Sequence, residues 1–309
     1  MFIERLRTMM IDMKVSVVAD KPVPPWSVRQ IMLAIEELGS EAVYIRPSDI
    51  TSFIGGTHEI VYTNSLKPVD FDAVILRDLG VATTVETYLR RVDLFKHVEL
   101  TGIPVVNPVE SYVTARDKYL SLCLLSRAGI PVPKTIVVED HYTAVKVVET
   151  LSKAVIKPLI GSLGFGVIKV DSPDLAYTIG KTLAQIKQPI YVQEFIEKPN
   201  RDIRVLVVGN DIVAAYYRIQ TDPQNWKTNI AQGAIAKPIE NLDKELQEYS
   251  LKILDILKLH YAGIDFGETK DGYVVFEVNA SPQWRGIQKV TGINPAKSIA
   301  RYVLQLARK

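Results

Sequence analysis

Ala262-Gly-Ile-Asp-Phe-Gly-Glu268, followed by Lys270-Asp-Gly272 and then Tyr273-Val-Val-Phe-Glu-Val-Asn279, is the stretch on which the reading of this chain turns. Both apolar runs are rich in β-forming residues and read as two antiparallel strands. Lys270-Asp-Gly272 suits a three-residue loop with Gly272 in the left-handed position that closes a bulge. That register sets Thr269 opposite Tyr273, and therefore Asp265 opposite Glu277. Asn279 shares their face because side chains alternate along a strand. Two opposed carboxylates repel unless a cation lies between them. An all-oxygen set of this kind suits magnesium, which keeps positions open for water and phosphate. One slip of register would turn Asp265 away from Glu277, and the hairpin alone leaves both arrangements open.

Four upstream segments bear on that choice. Ile156-Lys-Pro-Leu-Ile-Gly-Ser-Leu-Gly-Phe-Gly-Val167 puts a lysine at a strand end before a loop with three glycines. Such a loop brings backbone N–H groups close to phosphate oxygens, and the lysine adds a point charge. It lacks the Gly-Lys-Ser/Thr ending of a P-loop, and by itself it reads as a plain hairpin turn sooner than as a phosphate loop. Val192-Gln-Glu-Phe-Ile196 is a strand edge that could offer backbone polar groups to an adenine between apolar neighbours, though most such strands are core. Arg201-Asp-Ile-Arg204, Arg218 and Trp226-Lys-Thr-Asn229 supply cationic and amide groups; alone they read as solvated strand faces. Together with the acidic hairpin, these segments occur in the order needed to surround a metal–nucleotide complex.

The 309 residues suffice for two or three lobes with sizeable cores. A hydrophobic share of 47% and a charged share of 23% are ordinary for a globular protein, and a net charge of +2 is too small to mark nucleic acid as the main partner. One cysteine, Cys123, excludes an intramolecular disulfide; its Leu122-Cys-Leu-Leu125 setting reads as a buried helix face. The four histidines show no ligand spacing. No apolar run is long enough to cross a bilayer, and the basic opening lacks the apolar centre of a secretory signal, so a cytoplasmic enzyme is expected. Met13 offers an alternative start to Met1.

Lys14 to Ala19, Ala42 to Ile45 and Ala73 to Leu76 read as strands. They alternate with helices from an N-cap at Ser27 to Leu38, stopped by Gly39, and over Thr84 to Leu100. The alternation predicts a parallel α/β sheet without a dinucleotide fingerprint, since Asp20-Lys-Pro-Val-Pro-Pro25 follows the first strand. Beyond Pro108 come a helix from Ser111 to Ala128, strands near 134–138, 154–157 and 167–170, another helix, and a strand at 190–195. Paired strands at 203–208 and 212–218 and a helix from Asp243 to Leu259 precede the hairpin. The implied division is 14–107, 108–195 and 196–309, mixing α/β and α+β lobes.

Arg116-Asp-Lys118, Lys157 to Gly166, Gln193-Glu-Phe-Ile196, Arg201-Asp-Ile-Arg204, Val213-Ala-Ala215, Asn229, Ala262-Gly-Ile-Asp265 and Glu277-Val-Asn-Ala-Ser-Pro282 together resemble the ATP-grasp superfamily, in its RimK-like branch of glutamate ligases. The resemblance runs from about Pro108 to the end. It implies an ATP-grasp fold behind an N-terminal parallel α/β lobe, and ATP and magnesium as cofactors, with two ions expected and manganese as a substitute. By it, Lys118 and Lys157 contact the phosphates under a loop that includes Gly161, Ser162, Gly164 and Gly166. Glu194 and Phe195 hold the adenine with Ile196 near it, Gln193 belongs to the ATP-binding set, Asp202 lies in the nucleotide pocket, and Lys227, Thr228 and Asn229 meet nucleotide and substrate. Asp265, Glu277 and Asn279 match the metal ligands. Arg204 and Arg218 would steady the transferred phosphoryl group or a substrate carboxylate.

Within the branch, Asn225-Trp-Lys-Thr-Asn229 and Ser281-Pro-Gln-Trp-Arg-Gly286 are most similar to the archaeal ligases that add glutamate to tetrahydromethanopterin. Gln232-Gly-Ala234 departs from the common pattern by having alanine where a second glycine is usual. The implied partners are L-glutamate and a small carboxylate acceptor, with no nucleic acid or membrane, and a homo-oligomer is compatible. The implied chemistry is an acyl phosphate formed from ATP and then captured by the glutamate amine. Competing readings are a ligase acting on a protein C-terminus, a deazaflavin or an amino-group carrier protein, and a nucleotide-binding module without catalysis.

Overall fold

Val15 to Val18 is buried on both faces, as a central strand under helices must be. In the computed structural model, which describes residues 13–56, 58–80, 83–159, 166–222 and 225–308, this run is β1 (Lys14–Val18). It is followed by α1 (Trp26–Glu37), β2 (Glu41–Ile45), a small antiparallel hairpin of β3 (Ile50–Ser52) and β4 (Ile60–Tyr62), then β5 (Ala73–Leu76), α2 (Val85–Leu100) and β6 (Val105–Val106). The sheet order is β2-β1-β5-β6, all parallel, as the alternation predicts. Ser27 is not the N-cap of α1: Pro25, held at φ −57°, occupies that place, and Ser27 is buried in the first turn, within 3.4 Å of Arg77 Nη2. Gly39 ends the helix at φ +81° as expected.

The helix expected over Ser111 to Ala128 is two helices, α3 (Val109–Arg116) and α4 (Lys118–Arg127). Asp117 leaves helical geometry at ψ 103° and its carboxylate accepts the Tyr119 and Leu120 N–H groups at 2.9 and 3.1 Å. This is an N-cap placed inside a continuous apolar pattern, which periodicity does not reveal. Cys123 is exposed, contrary to the expectation of a core position, because Leu122 and Leu125 form the buried stripe and Cys123 falls outside it.

The second sheet is antiparallel in the order β7-β10-β8-β9, from β7 (Thr135–Val138), β8 (Ala154–Lys157), β9 (Ile168–Val170) and β10 (Ile190–Glu194). It is backed by α5 (His141–Leu151), which the sequence reading lacks, and by α6 (Pro173–Gln185). The third sheet has the order β13-β12-β11-β14-β15, with β11 (Arg201–Val208), β12 (Asp211–Ile219), β13 (Ile235–Pro238), β14 (Tyr261–Thr269) and β15 (Gly272–Asn279). Its back face, Val205, Ile264, Val275 and Val278 among others, shares a core with Leu246, Ile253 and Leu257 of α7 (Lys244–Leu257). The chain ends in α8 (Arg285–Thr291) and α9 (Pro295–Leu306), the latter packed on α1.

Buried polar groups tie the parallel sheet to the third. Asn107 Nδ2 donates to the Tyr261 and Ala280 carbonyls at 2.9 Å each, and its Oδ1 accepts the His260 and Tyr261 N–H groups at 2.7 and 3.0 Å. An amide has two donors and two acceptor sites, and here all four are used. Arg77, at the end of β5, donates to the Pro282 carbonyl at 2.7 Å just beyond β15. The carboxyl edge of the parallel sheet is thereby held next to the end of the acidic hairpin.

Candidate active site

Thr269 pairs with Gly272 around a two-residue turn, Lys270 and Asp271, so the three-residue loop is not formed; Gly272 does take positive φ, +119°. Continued without interruption, that register would pair Asp265 with Phe276 and send Glu277 to the opposite face. A β-bulge prevents it. Phe276 stands as the extra residue, and beyond it Asp265 pairs with Glu277 and Gly263 with Asn279. The expected juxtaposition is therefore present by a different route. Val275 and Val278, three apart yet both buried against the α7 core, are the residues that require the bulge.

The front face of the sheet carries a row of alternating charge. Arg204 reaches Asp265 through both Nε and Nη2, the latter at 2.7 Å. Arg218 grips Asp202 at 2.7 and 2.8 Å and also meets Asp265 Oδ2 at 2.9 Å. Thr228 donates its hydroxyl to Asp202. All five residues are buried. Burial pushes the Asp265 carboxyl up, but the Arg204 and Arg218 guanidiniums outweigh it and hold the group below the usual carboxylate range. Burial pulls the two guanidiniums down, yet Asp265, with Asp202 at Arg218, leaves both raised.

The donor set fits a magnesium ion. Asp265 Oδ2 accepts twice, and the one bond to Oδ1 leaves a lone-pair position on that oxygen. The Glu277 carboxylate, 3.4 Å from Lys118 Nζ, opens to the cleft between the second and third sheets. Asn279 directs Nδ2 to the Gly263 carbonyl at 3.5 Å, which leaves its oxygen as the end that could meet a cation. Among the described residues no group of three His, Cys, Asp or Glu side chains could hold a metal, so a three-ligand set here would need the amide.

That cleft has a volume of about 190 Å³. Lys118, at the start of α4, which packs on β15, and Lys157, at the end of β8, both enter it. Lys157 donates to Gln193 Oε1 at 2.8 Å, and burial pulls its ammonium down to about 8. Gln193 thus holds the lysine; its own Nε2 donates to Thr135 at 2.9 Å. Glu194, Phe195 and Ile196 line the cleft beyond it, as do Asp202, Arg218, Lys227, Thr228, Asn229, Asp265 and Glu277. Arg204 and Asn279 do not line it; both lie along the same sheet face. Gly166, at φ +72°, packs near Pro158, while Gly161, Ser162 and Gly164 lie outside the described residues.

The lining residues that the sequence reading did not name as site residues include Trp226, Lys198 and Phe276. Trp226 meets Phe195 edge-on with ring centroids 5.6 Å apart, and Lys169 covers Phe195 at 4.2 Å. Lys198 is depressed by burial and donates to the Arg201 carbonyl at 2.9 Å. Its place two residues after the Gln193-Glu-Phe-Ile196 edge was the available signal.

Residues 115–303 match the RimK-like ATP-grasp domain. This chain belongs to the RimK-like ATP-grasp family. The tetrahydromethanopterin:α-L-glutamate ligase of Methanococcus maripaludis is 32% identical over 92% of the chain and 96% of that protein. The α-aminoadipate–LysW ligase of Saccharolobus solfataricus is likewise 32% identical, over 93% of the chain and the whole of the relative. Among solved structures, the ATP-grasp ligase PsnB, complexed with a minimal precursor, Mg and ADP, superposes with a TM-score of 0.72 at 19% identity, over 96% of this chain and 98% of that one. The fold is that of the ATP-grasp ligases, and membership makes the chain an ATP-dependent, ADP-forming ligase. Among the described residues no helix is long and apolar enough to cross a membrane.

Proposed function

We propose that this RimK-like enzyme joins L-glutamate to a carboxylate of a pterin-type coenzyme, through an acyl phosphate made from ATP. The observation that carries the reading is Asp265 facing Glu277 in a cleft entered by Lys118 and Lys157. Support for the acceptor class comes from the likeness to the Methanococcus ligase and from the Trp226-Lys-Thr-Asn229 segment lining the cleft.

Asp265, Glu277 and Asn279 would hold magnesium, with manganese as a substitute and two ions beside the triphosphate. When bound, the metal supplies charge neutralisation on the phosphates. Lys118 and Lys157 add positive charge at the phosphate end, and Arg218, held by Asp202 and Asp265, lines the same cleft. An acceptor carboxylate oxygen attacks the γ-phosphorus as the bond to the ADP oxygen breaks. The glutamate amine then attacks the acyl carbon, phosphate leaves, and the amine proton goes to solvent or base. Activation is required because a free carboxylate is a poor electrophile. A cleft closed to water protects the acyl phosphate from hydrolysis.

The test is ADP release that depends on both amino acid and acceptor, across pterin, deazaflavin, peptide-tail and carrier-protein acceptors, each with glutamate and with α-aminoadipate. The pterin arm with glutamate is expected to respond. A response confined to aminoadipate and a carrier protein would replace this reading with that of the Saccharolobus relative. No ADP release in any arm would remove the catalytic assignment.

A further inference from the structure

We infer that Gly267 sets the height of the cleft floor on which a nucleotide base lies, by leaving room for the Phe276 ring. The inference rests on the ATP-binding reading above. It starts from the bulge. Because Phe276 is the extra residue, it and Glu277 both face the cleft, where simple alternation would turn one of them into the core. The metal ligand and the aromatic floor are thus adjacent products of one backbone irregularity.

Gly267 lies on the same face, two residues along β14 from Asp265. A β-carbon there would stand 2.4 Å from Phe276 Cζ and 2.5 Å from Cε2, and the ring therefore rests directly on the glycine. The backbone of Gly267 is not among the positive-φ glycines, so chain conformation does not explain the residue; the aromatic ring does. Across the sheet, the register places Asp202 beside Gly267 and Arg218 beside Asp202. Val155 and Val167 line the same cleft from the second sheet's side. An apolar slot with one aromatic wall, adjoining a polar end, suits a flat heteroaromatic base attached to phosphates. Any side chain at 267 would lift the ring into that slot.

Gly267 acts through Phe276, so it is a positioning residue, and a readout specific to the base separates this role from general packing. Calorimetry would be run with Mg-ATP and with Mg-tripolyphosphate, a probe that has the charges but no base, on wild type, Gly267→Ala, Phe276→Leu and the double variant. Thermal unfolding checks that each is folded. Gly267→Ala is expected to weaken Mg-ATP about tenfold or more and to leave tripolyphosphate within about twofold, the scale of steric discrimination in an apolar pocket. Phe276→Leu, which lacks the clashing ring atoms, is expected to bring Gly267→Ala back to the affinity of Phe276→Leu alone. Wild-type affinity for Mg-ATP in Gly267→Ala, equal loss of both probes, or no rescue by Phe276→Leu would overturn the inference. If Gly267→Ala does not fold, the comparison of Phe276→Leu with the double variant decides: equal Mg-ATP affinity supports the inference, and a much weaker double variant overturns it. Wild type binding neither probe would remove the ATP reading itself, and this inference with it.

Discussion

Asp265 and Glu277 face each other as equals in the hairpin, yet replacing each carboxylate by its amide should have very different consequences. Asp265 is 4% exposed and clamped by two guanidiniums, Arg204 and Arg218. In Asp265→Asn the front face keeps both buried arginines but only Asp202 to balance them. Removing one partner of a buried ion pair costs about 3–5 kcal/mol, because a charge stays buried without compensation. Glu277 instead has a side chain 28% exposed to the cleft and a 3.4 Å ion pair with Lys118. Loss of this partly exposed pair should cost less than loss of the fully buried one. Both variants should lose acceptor-dependent ADP formation, but only Asp265→Asn should unfold at clearly lower urea, followed by tryptophan fluorescence and circular dichroism. Stability losses equal within about 1 kcal/mol would refute the account of the charge row. Near-normal turnover by Glu277→Gln would refute its role as a ligand.

Lys157 has a native ammonium pulled down to about 8 by burial, against 10.5 ordinarily. Phosphate favours the charged form, so Mg-ATP affinity should fall as pH rises above about 8, by at most about tenfold per unit, and Lys157→Arg should flatten the profile; a flat wild-type profile refutes it. Because the depressed group binds fewer protons when folded, its burial penalty is present below pH 8 and is relieved as pH rises from 8 toward 10.5, measurable as a stability gain absent in Lys157→Met. Asp117→Ala removes the cap of α4 and should cost about 1 kcal/mol while raising the KM for ATP more than it lowers kcat, since Lys118 follows directly. Cys123 should react with a thiol reagent in the native protein without loss of activity, and slow labelling matched to unfolding would contradict its exposed position.

Local signals carried much of the fold. The alternation of short apolar strands and helices before Pro108 anticipated the parallel sheet, and Gly39 and Asp243 ended and began helices where expected. Local signals failed where a cap lay inside an apolar pattern, as at Asp117, and where a helix face was assigned by neighbours, as at Cys123. The hairpin is the instructive case. Its turn took the slipped register, and the pairing of Asp265 with Glu277 was restored four residues later by packing of Val275 and Val278 on a helix distant in sequence.

By itself the amino-acid order determined which chemical groups are available and in what succession: lysines, a strand edge, arginines, then two carboxylates and an amide. Residue type and spacing along the chain are enough for that. Tertiary structure alone decided that Arg204 and Arg218 are spent on Asp265 and Asp202, that Gln193 holds Lys157, and that Phe276 lies on Gly267. Those outcomes depend on register across strands and on burial against remote elements. Both are set by the lowest free energy of the whole packed chain, and no local segment encodes them.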